Sequence, residues 1–408
     1  MVITNIINSV DSTSSIEKTN KINTIHSFDN ITIRKAVRLW IKNDAEAISK
    51  YGHISNWDTS NVTDMSTLFQ NTQLFNEDIG SWDVSNVTNM CCMFICTRSF
   101  NKDIGSWDVS SVTNMAGMFY DAYDFNQDIR LWVVSSVTNM NSMFFNSLNF
   151  NQEINLWDVS NVTIMKDMFN GALNFNKNIG SWKLSKVTNM SGMFSRATLF
   201  NNDNRSSIGS WDVSNVYNMS DMFSGAYSFN QDISKWNVSN VINMKHMFYR
   251  VELFNHDISK WNVSNVTNME AMFCLALSFN QNIGLWNVSN VMNMKFMFDC
   301  ARSFKINIGK WPINSKCDIS RIFDNEYPKE IFNGKLYGNK IAKYFNLDNP
   351  NEDKVWEPYT RWERRKNAVM FFSSISKMNI DEENIKSKIL NLIIKIDYDV
   401  YKEIVSFI

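Results

Sequence analysis

Glycine and proline are scarce in this 408-residue chain, at 13 and 4 residues, and histidine occurs only four times. No Gly-rich phosphate-binding loop is present. His26, His53, His246 and His256 form no recognisable arrangement with a Ser or Cys nucleophile. Six cysteines in so long a chain do not make a disulfide framework. Cys91-Cys92-x3-Cys96 lacks the histidine that would suggest zinc, so buried or half-buried thiols are expected. No apolar run approaches the roughly 18 residues of a membrane-spanning helix. The start, Met1-Val2-Ile3-Thr4-Asn5, lacks the basic residues and apolar stretch of a secretory signal, which predicts an intracellular protein. Neither sign of charge is in excess: 40 Lys and Arg face 41 Asp and Glu, which argues against nucleic acid or a membrane surface as partner. These absences point away from an enzyme, and no cofactor or metal is expected.

What is abundant is Trp, Met and Phe, at 14, 23 and 29 residues. Their placement explains the excess. Trp57, Trp82, Trp107, Trp132, Trp157 and Trp182 stand 25 residues apart; Trp211 follows after 29, and Trp236, Trp261, Trp286 and Trp311 resume the step of 25. Counting each of the ten complete units from its Trp as position 1, position 6 is always Val, position 9 always Met, and positions 13 and 19 always Phe. Position 12 is Met except for Leu68 in the first unit, and Ile stands three residues before each of the eleven tryptophans.

One unit cannot fold alone. It buries about nine apolar side chains at roughly 1.5–3 kcal/mol each. Ordering its backbone costs about 1–2 kcal/mol per residue, as much or more. Stacking gives each apolar layer a lid above and below and lines identical residues into columns, the logic of a solenoid with nearest-neighbour stability. Within a unit, Ile-x-x-Trp-x-Val alternates inward and outward and has the form of a leucine-rich-repeat strand. The following Met-x-x-Met-Phe-x-x-small-x-x-Phe steps by three and four, as a short helix or 3₁₀ turn does. A rival placement puts the strand on Val-Thr-Asn-Met; the first is favoured.

These residues resemble the BspA-like leucine-rich-repeat family, in its 25-residue MFxxAxxFNxDIxxWDVSNVTNM class. The resemblance covers about residues 30–320, including the lead-in Ile33 to Trp40 before Tyr51 to Phe69. It implies a parallel α/β solenoid used for adhesion or protein recognition, without known catalysis, in a class found in bacterial surface lipoproteins, algae and large DNA viruses. The surface proteins carry signal peptides or lipid anchors, and neither is evident here.

The organisation expected is a flexible segment at 1–29, an N-terminal cap helix at 30–52, about ten repeats at 53–319 and a helical C-terminal cap or tail at 320–408. Ile33, Ala36, Val37, Trp40 and Ile41 form one apolar stripe in the cap. Residues 360–378 and 382–396 read as helices, and Asp399 to Ile408 echoes the opening of an F-box, a ubiquitin-ligase docking element.

Outward positions of the expected strand would form the recognition face. Position 2 reads Asp58, Asp83, Asp108, Val133, Asp158, Lys183, Asp212 and then Asn237, Asn262, Asn287 and Pro312. Position 25 adds Lys235, Lys260 and Lys310, so the face runs from acidic to neutral or basic and would steer a partner of opposite polarity. Leu131, Val133 and Leu156 place an apolar patch in its middle, where a hot spot would sit. Two blander readings compete: each Asp bonds only its own turn and the neighbouring Ser, and the apolar patch is repeat drift. Carboxylates at this spacing could also offer oxygen ligands to calcium. The Asn columns (Asn86 and Asn114; Asn101, Asn126 and Asn151) read as structural ladders. The insert Asn202 to Ser207 reads as a surface loop, and sequons such as Asn61-Val62-Thr63 and Asn237-Val238-Ser239 as by-products of the repeat. The sequence thus predicts a monomeric protein-interaction scaffold; alternatives are a structural or adhesion component of a particle or cell, and a ubiquitin-ligase adaptor through the tail.

Overall fold

A computed structural model describes residues 26–204 and 207–323. The expectations for residues 1–25, for the helices at 360–378 and 382–396 and for the F-box echo lie outside those residues. Each Trp opens one coil of chain, numbered here from coil 1 (Trp57) to coil 11 (Trp311).

The apolar columns inferred from the repeat are present. Phe94 at position 13 lies 5.6 Å from Phe119 of the next coil with planes 5° apart, and Phe100 at position 19 lies 6.1 Å from Phe125 at 3°. Within a coil the two Phe rings nearly touch, as for Phe119 and Phe125 at 3.8 Å. Trp132 and Trp157 stack at 6.4 Å and 4°. The Met residues of positions 9 and 12 are fully buried between these rings. The indole also does what a phenyl ring could not. Nε1–H of Trp82 donates to the Ile54 carbonyl (2.9 Å), that of Trp107 to Ile79 (3.2 Å) and that of Trp157 to Ile129 (3.1 Å). The same bond continues to Trp311 on Ile283 (2.9 Å). From coil 1 to coil 9 the carbonyl of the Ile before the next Trp thus finds its side-chain donor in the Trp that opens the coil two further on.

The strand placement favoured above is corrected. Single-residue parallel bridges join position 8 of each coil to position 8 of the next, from Asp64–Asn89 to Asn293–Asp318. The paired segment is therefore Val-Thr-Asn-Met, the rival placement. The Ile-x-x-Trp-x-Val segment alternates inward and outward as expected, but it forms a corner closed by a turn in which Trp82 N–H donates to the Ile79 carbonyl (3.1 Å).

The expected helix or 3₁₀ turn is also corrected. Through positions 9–16 the N–H groups alternate between two destinations. Those of Met65, Thr67, Phe69 and Asn71 donate to the carbonyls of Asn89, Cys91, Met93 and Ile95 in the following coil, each at 2.9 Å. The intervening ones fold back three residues, as for Met93 to Met90 (3.2 Å), Ile95 to Cys92 (3.2 Å) and Thr97 to Phe94 (3.0 Å). Positions 11 and 15 have positive φ in every described coil, for example Cys92 (56°) and Cys96 (58°), Ser142 (54°) and Asn146 (51°). A positive φ at the third residue of a four-residue turn is the type II signature. Turns of that length step by three and four just as a helix does.

At the N-terminal end the cap is two helices, not one: α1 (Thr32–Lys42) and α2 (Asp44–Tyr51), separated at Asn43. Asn43 starts α2 by accepting from Glu46 N–H (3.2 Å) and donating to the Glu46 carboxylate (3.2 Å), a reciprocal capping pair. Ile33, Ala36, Val37 and Trp40 of α1 are buried, whereas Ile41, expected in the same stripe, is exposed. Residues 26–29, expected to be flexible, are placed: Ser27 bridges Asp58 in parallel, and Phe28 is buried 4.9 Å from the Trp57 ring.

The cap also satisfies groups that have no preceding coil. Carbonyls at positions 8 and 10 accept from the coil before; in coil 1 those of Asp64 and Ser66 accept from the Arg34 guanidinium instead. Asn30 Oδ1 accepts from Thr63 N–H (2.8 Å) and Asp64 N–H (3.0 Å). At the other end the stack continues past the expected boundary at 319. Ile322 and Phe323 are buried at positions 12 and 13, with the Phe323 ring 5.5 Å from Phe298.

The insert in coil 6 is partly internal. Asn202 is buried and its Oδ1 accepts from Ile179 N–H (2.8 Å), while Trp211 still bonds the Ile179 carbonyl (3.2 Å).

Candidate interaction face

The corner around each Trp presents positions 25 and 2 to solvent. Asp83, Asp108, Val133, Asp158, Lys183 and Asp212 at position 2, and Leu131, Leu156, Lys235 and Lys260 at position 25, are all exposed; Asp58, covered by residues 26–28, is half-buried. The residues singled out from sequence therefore form one row, although not on the bridged edge.

Within that row each Asp is tied to its own turn. Asp58 Oδ1 accepts from Ser60 N–H (3.0 Å) and Oγ (2.6 Å), Asp83 from Ser85 (3.0 and 2.7 Å) and Asp212 from Ser214 (3.1 and 2.6 Å). Asp108 and Asp158 accept from the N–H of Ser110 (3.0 Å) and Ser160 (3.1 Å). The Ser hydrogen bonds hold the carboxyls of Asp58, Asp108, Asp158 and Asp212 below the usual carboxylate range. Turn bonding and surface charge thus coexist: one oxygen is used internally and the negative charge stays in the row. Asn237, Asn262 and Asn287 make the same bond to the Ser two residues on, each at 3.2 Å, so the amide keeps the turn without the charge.

The apolar interruption is real in space. Leu131, Val133 and Leu156 are 72, 55 and 65 % exposed, next to one another in coils 3 and 4. Asp83 and Asp108 lie to one side; to the other come Asp158, Lys183, Asp212, Lys235 and Lys260.

Other candidates have structural occupations. Asn101 N–H donates to Asn76 Oδ1 (2.9 Å), Asn126 N–H to Asn101 Oδ1 (3.0 Å) and Asn151 N–H to Asn126 Oδ1 (2.9 Å), so this column bonds through backbone donors rather than amide to amide. Asn86 donates to the Ser60 carbonyl (2.9 Å), and Asn114 closes its own turn onto Ala116 N–H (3.1 Å). Cys91 and Cys92 sulfurs are 3.6 Å apart, and burial pushes the Cys92 thiol up to about 11, away from nucleophilic use. His53 does pair with a hydroxyl, Ser55 Oγ at 2.8 Å, but the same nitrogen accepts from Ser55 N–H and caps the 3₁₀ turn Ile54–Asn56. Among the described residues no three of His, Cys, Asp and Glu converge as a metal site. The Asp column offers calcium no shared point. No helix among the described residues is long and apolar enough to cross a membrane.

Two features escaped sequence reasoning. Arg196 lies over the Phe145 ring (5.8 Å) and donates from Nε (3.2 Å) and Nη2 (2.9 Å) to Asn170 Oδ1, a clasp across coils 4 to 6. Exposed Tyr217, Ile242 and Met292 stand at position 7, beside the bridges, where Thr is the usual residue. The substitution of Thr was visible in the repeat; that position 7 faces outward on the paired edge was not.

A coil of 25 residues stacked on its own copies defines a repeat protein. The family described as "Mycoplasma protein of unknown function, DUF285" has a model that matches residues 41–147, 127–207, 204–276 and 233–338, and the chain belongs to that family of BspA-like repeats. No curated protein and no solved structure matches the chain.

Proposed function

We propose that the protein is a non-enzymatic interaction scaffold, a leucine-rich-repeat-like solenoid that recognises a protein through the corner row of positions 25 and 2. The observation that carries this reading is the exposed cluster Leu131, Val133 and Leu156, with Asp83 and Asp108 toward coil 1 and a mixed set toward coil 8, Asp158 and Asp212 among Lys183, Lys235 and Lys260. Apolar residues held outward on a rigid support supply the desolvated centre of an interface, and the charges on either side set the partner's direction. A partner with a basic segment over coils 2 and 3 complements the acidic end of the row.

Affinity capture with three variants tests it. Leu131→Ser with Leu156→Ser removes the apolar centre, and Asp83→Asn with Asp108→Asn removes charge while keeping the bond to Ser. Both should lose a partner that the wild type and a Leu74→Ser control, exposed but off the row at position 18, retain, at unchanged melting temperature. Retention of that partner by both variants rejects this face.

A further inference from the structure

The bridged edge carries a second surface, independent of the corner row. Position 7 is Thr in coils 1 to 6, from Thr63 to Thr188, and in coil 9 at Thr267; in coils 7, 8 and 10 it is Tyr217, Ile242 and Met292. These three are 47, 48 and 42 % exposed. Parallel bridges link Asn218, Asn243, Asn268 and Asn293 at the adjoining position, so the four position-7 residues stand in file at the ~4.8 Å spacing of paired strands. The chain is held straight under them: Ile242, Thr267 and Met292 N–H groups donate to the carbonyls of Tyr217, Ile242 and Thr267 at 2.9, 2.8 and 2.8 Å. The result is an apolar stripe about three strand spacings long, on regular backbone.

Charge beside the stripe identifies what covers it. At position 10, on one side of the file, stand Ser220, Lys245, Glu270 and Lys295. Lys245 Nζ lies 3.0 Å from the Glu270 carboxylate, and both side chains keep part of their surface in solvent. Consider a second copy laid face to face with its coils running the opposite way, about a two-fold axis parallel to the strands between coils 8 and 9. That operation keeps position 10 on the same side and exchanges coil 8 with coil 9 and coil 7 with coil 10. Lys245 then meets Glu270 of the other copy twice over, Ile242 meets Thr267, and Tyr217 meets Met292. Large faces small at the centre, Lys245 and Glu270 each face their opposite, and Lys295 faces the neutral Ser220. Such self-complementarity is the requirement for an isologous dimer.

We propose that the chain forms a two-fold homodimer through the position-7 stripe of coils 7 to 10. The sequence predicts a monomer because its outward face was sought at the Trp corner, where these residues do not lie.

Sedimentation equilibrium of the full chain from about 1 to 100 µM tests the assignment. The wild type should show a monomer–dimer equilibrium within that range. Ile242→Asp should remain monomeric at every concentration, with Tyr217→Ser as a second variant should the first fail to fold. Lys245→Glu should weaken the dimer at least tenfold, and Lys245→Glu with Glu270→Lys should restore it, since the exchange preserves both contacts. A monomeric wild type, a dimer that survives both Ile242→Asp and Tyr217→Ser, or a charge exchange that restores nothing overturns the proposal.

Discussion

Replacing Trp157 by Phe isolates what the indole contributes beyond its bulk. The Trp157 side chain is 3 % exposed, and its Nε1–H is the donor seen on the buried Ile129 carbonyl at 3.1 Å. Phe leaves that carbonyl without its partner, a loss of about 1–3 kcal/mol. The smaller ring also leaves a gap between coils 4 and 5, adding about 1 kcal/mol if the neighbours relax only partly. The expected destabilisation is therefore about 2–4 kcal/mol. Chemical unfolding followed by far-ultraviolet circular dichroism measures it, and amide exchange shows whether opening centres on coils 4 and 5, as nearest-neighbour coupling requires. Substitution by an isosteric benzothienyl side chain, which lacks only the N–H, should show the first loss and avoid the second. If that isostere is as stable as Trp157, the Trp–Ile bond is incidental and the conservation of indole along the stack needs another cause.

Three further outcomes follow from the same geometry. Arg34→Met should weaken the N-terminal cap by about 1.5–3 kcal/mol, because the Asp64 and Ser66 carbonyls lose a charged donor; exchange protection should fall in coil 1 and hold in coil 8. Thr67→Gly should stabilise by about 0.5–1 kcal/mol in thermal unfolding, since an exposed β-branched residue at φ 56° is strained by about 1–2 kcal/mol and glycine returns part of that in chain entropy. Acid should destabilise with a definite sign. Asp58, Asp108, Asp158 and Asp212 have folded-state pKa values below the ordinary 3.8, so their contribution is complete above that pH and is lost as pH falls through the lowered values. An acid titration of the Asp108→Asn variant should show a smaller decline than the wild type below pH 4.

The repeat period, the buried columns and the outward row at positions 25 and 2 were all legible in the sequence, because invariant apolar residues at a fixed interval have nowhere to go but against their copies. What misled was the assignment of backbone. Alternation around Trp82 and Val84 reports which side chains are inside, not which N–H groups pair, and a corner alternates as well as a strand does. The step from Met90 to Met93 to Phe94 to Thr97 was ambiguous for the same reason. The distinguishing sign lay in the residues between: Gly117, Asp121, Asn146, Asp167, Gly171 and Gly225 at positions 11 and 15 suit a left-handed backbone and would be poor choices within a helix. The carboxylate row shows the limit on the functional side. Spacing placed Asp58, Asp83 and Asp108 in file and also suggested that each bonds its own turn and Ser; the structure shows that bond using one oxygen of each while the charge stays in the row.

Because every interior coil donates from the same four amides to the coil after it and receives at the same four carbonyls from the coil before, its surroundings do not depend on its place in the series. Chain length is thus a free variable in steps of one turn. Excising 132–156 as a block would bring the coil 107–131 against the coil opened by Trp157 with every column in register, whereas a deletion of half that size would leave at the junction a partial coil that matches neither neighbour. Duplication and loss of whole units can carry such a protein to a new reach, and relocate its outward residues relative to one another, without a single new packing solution.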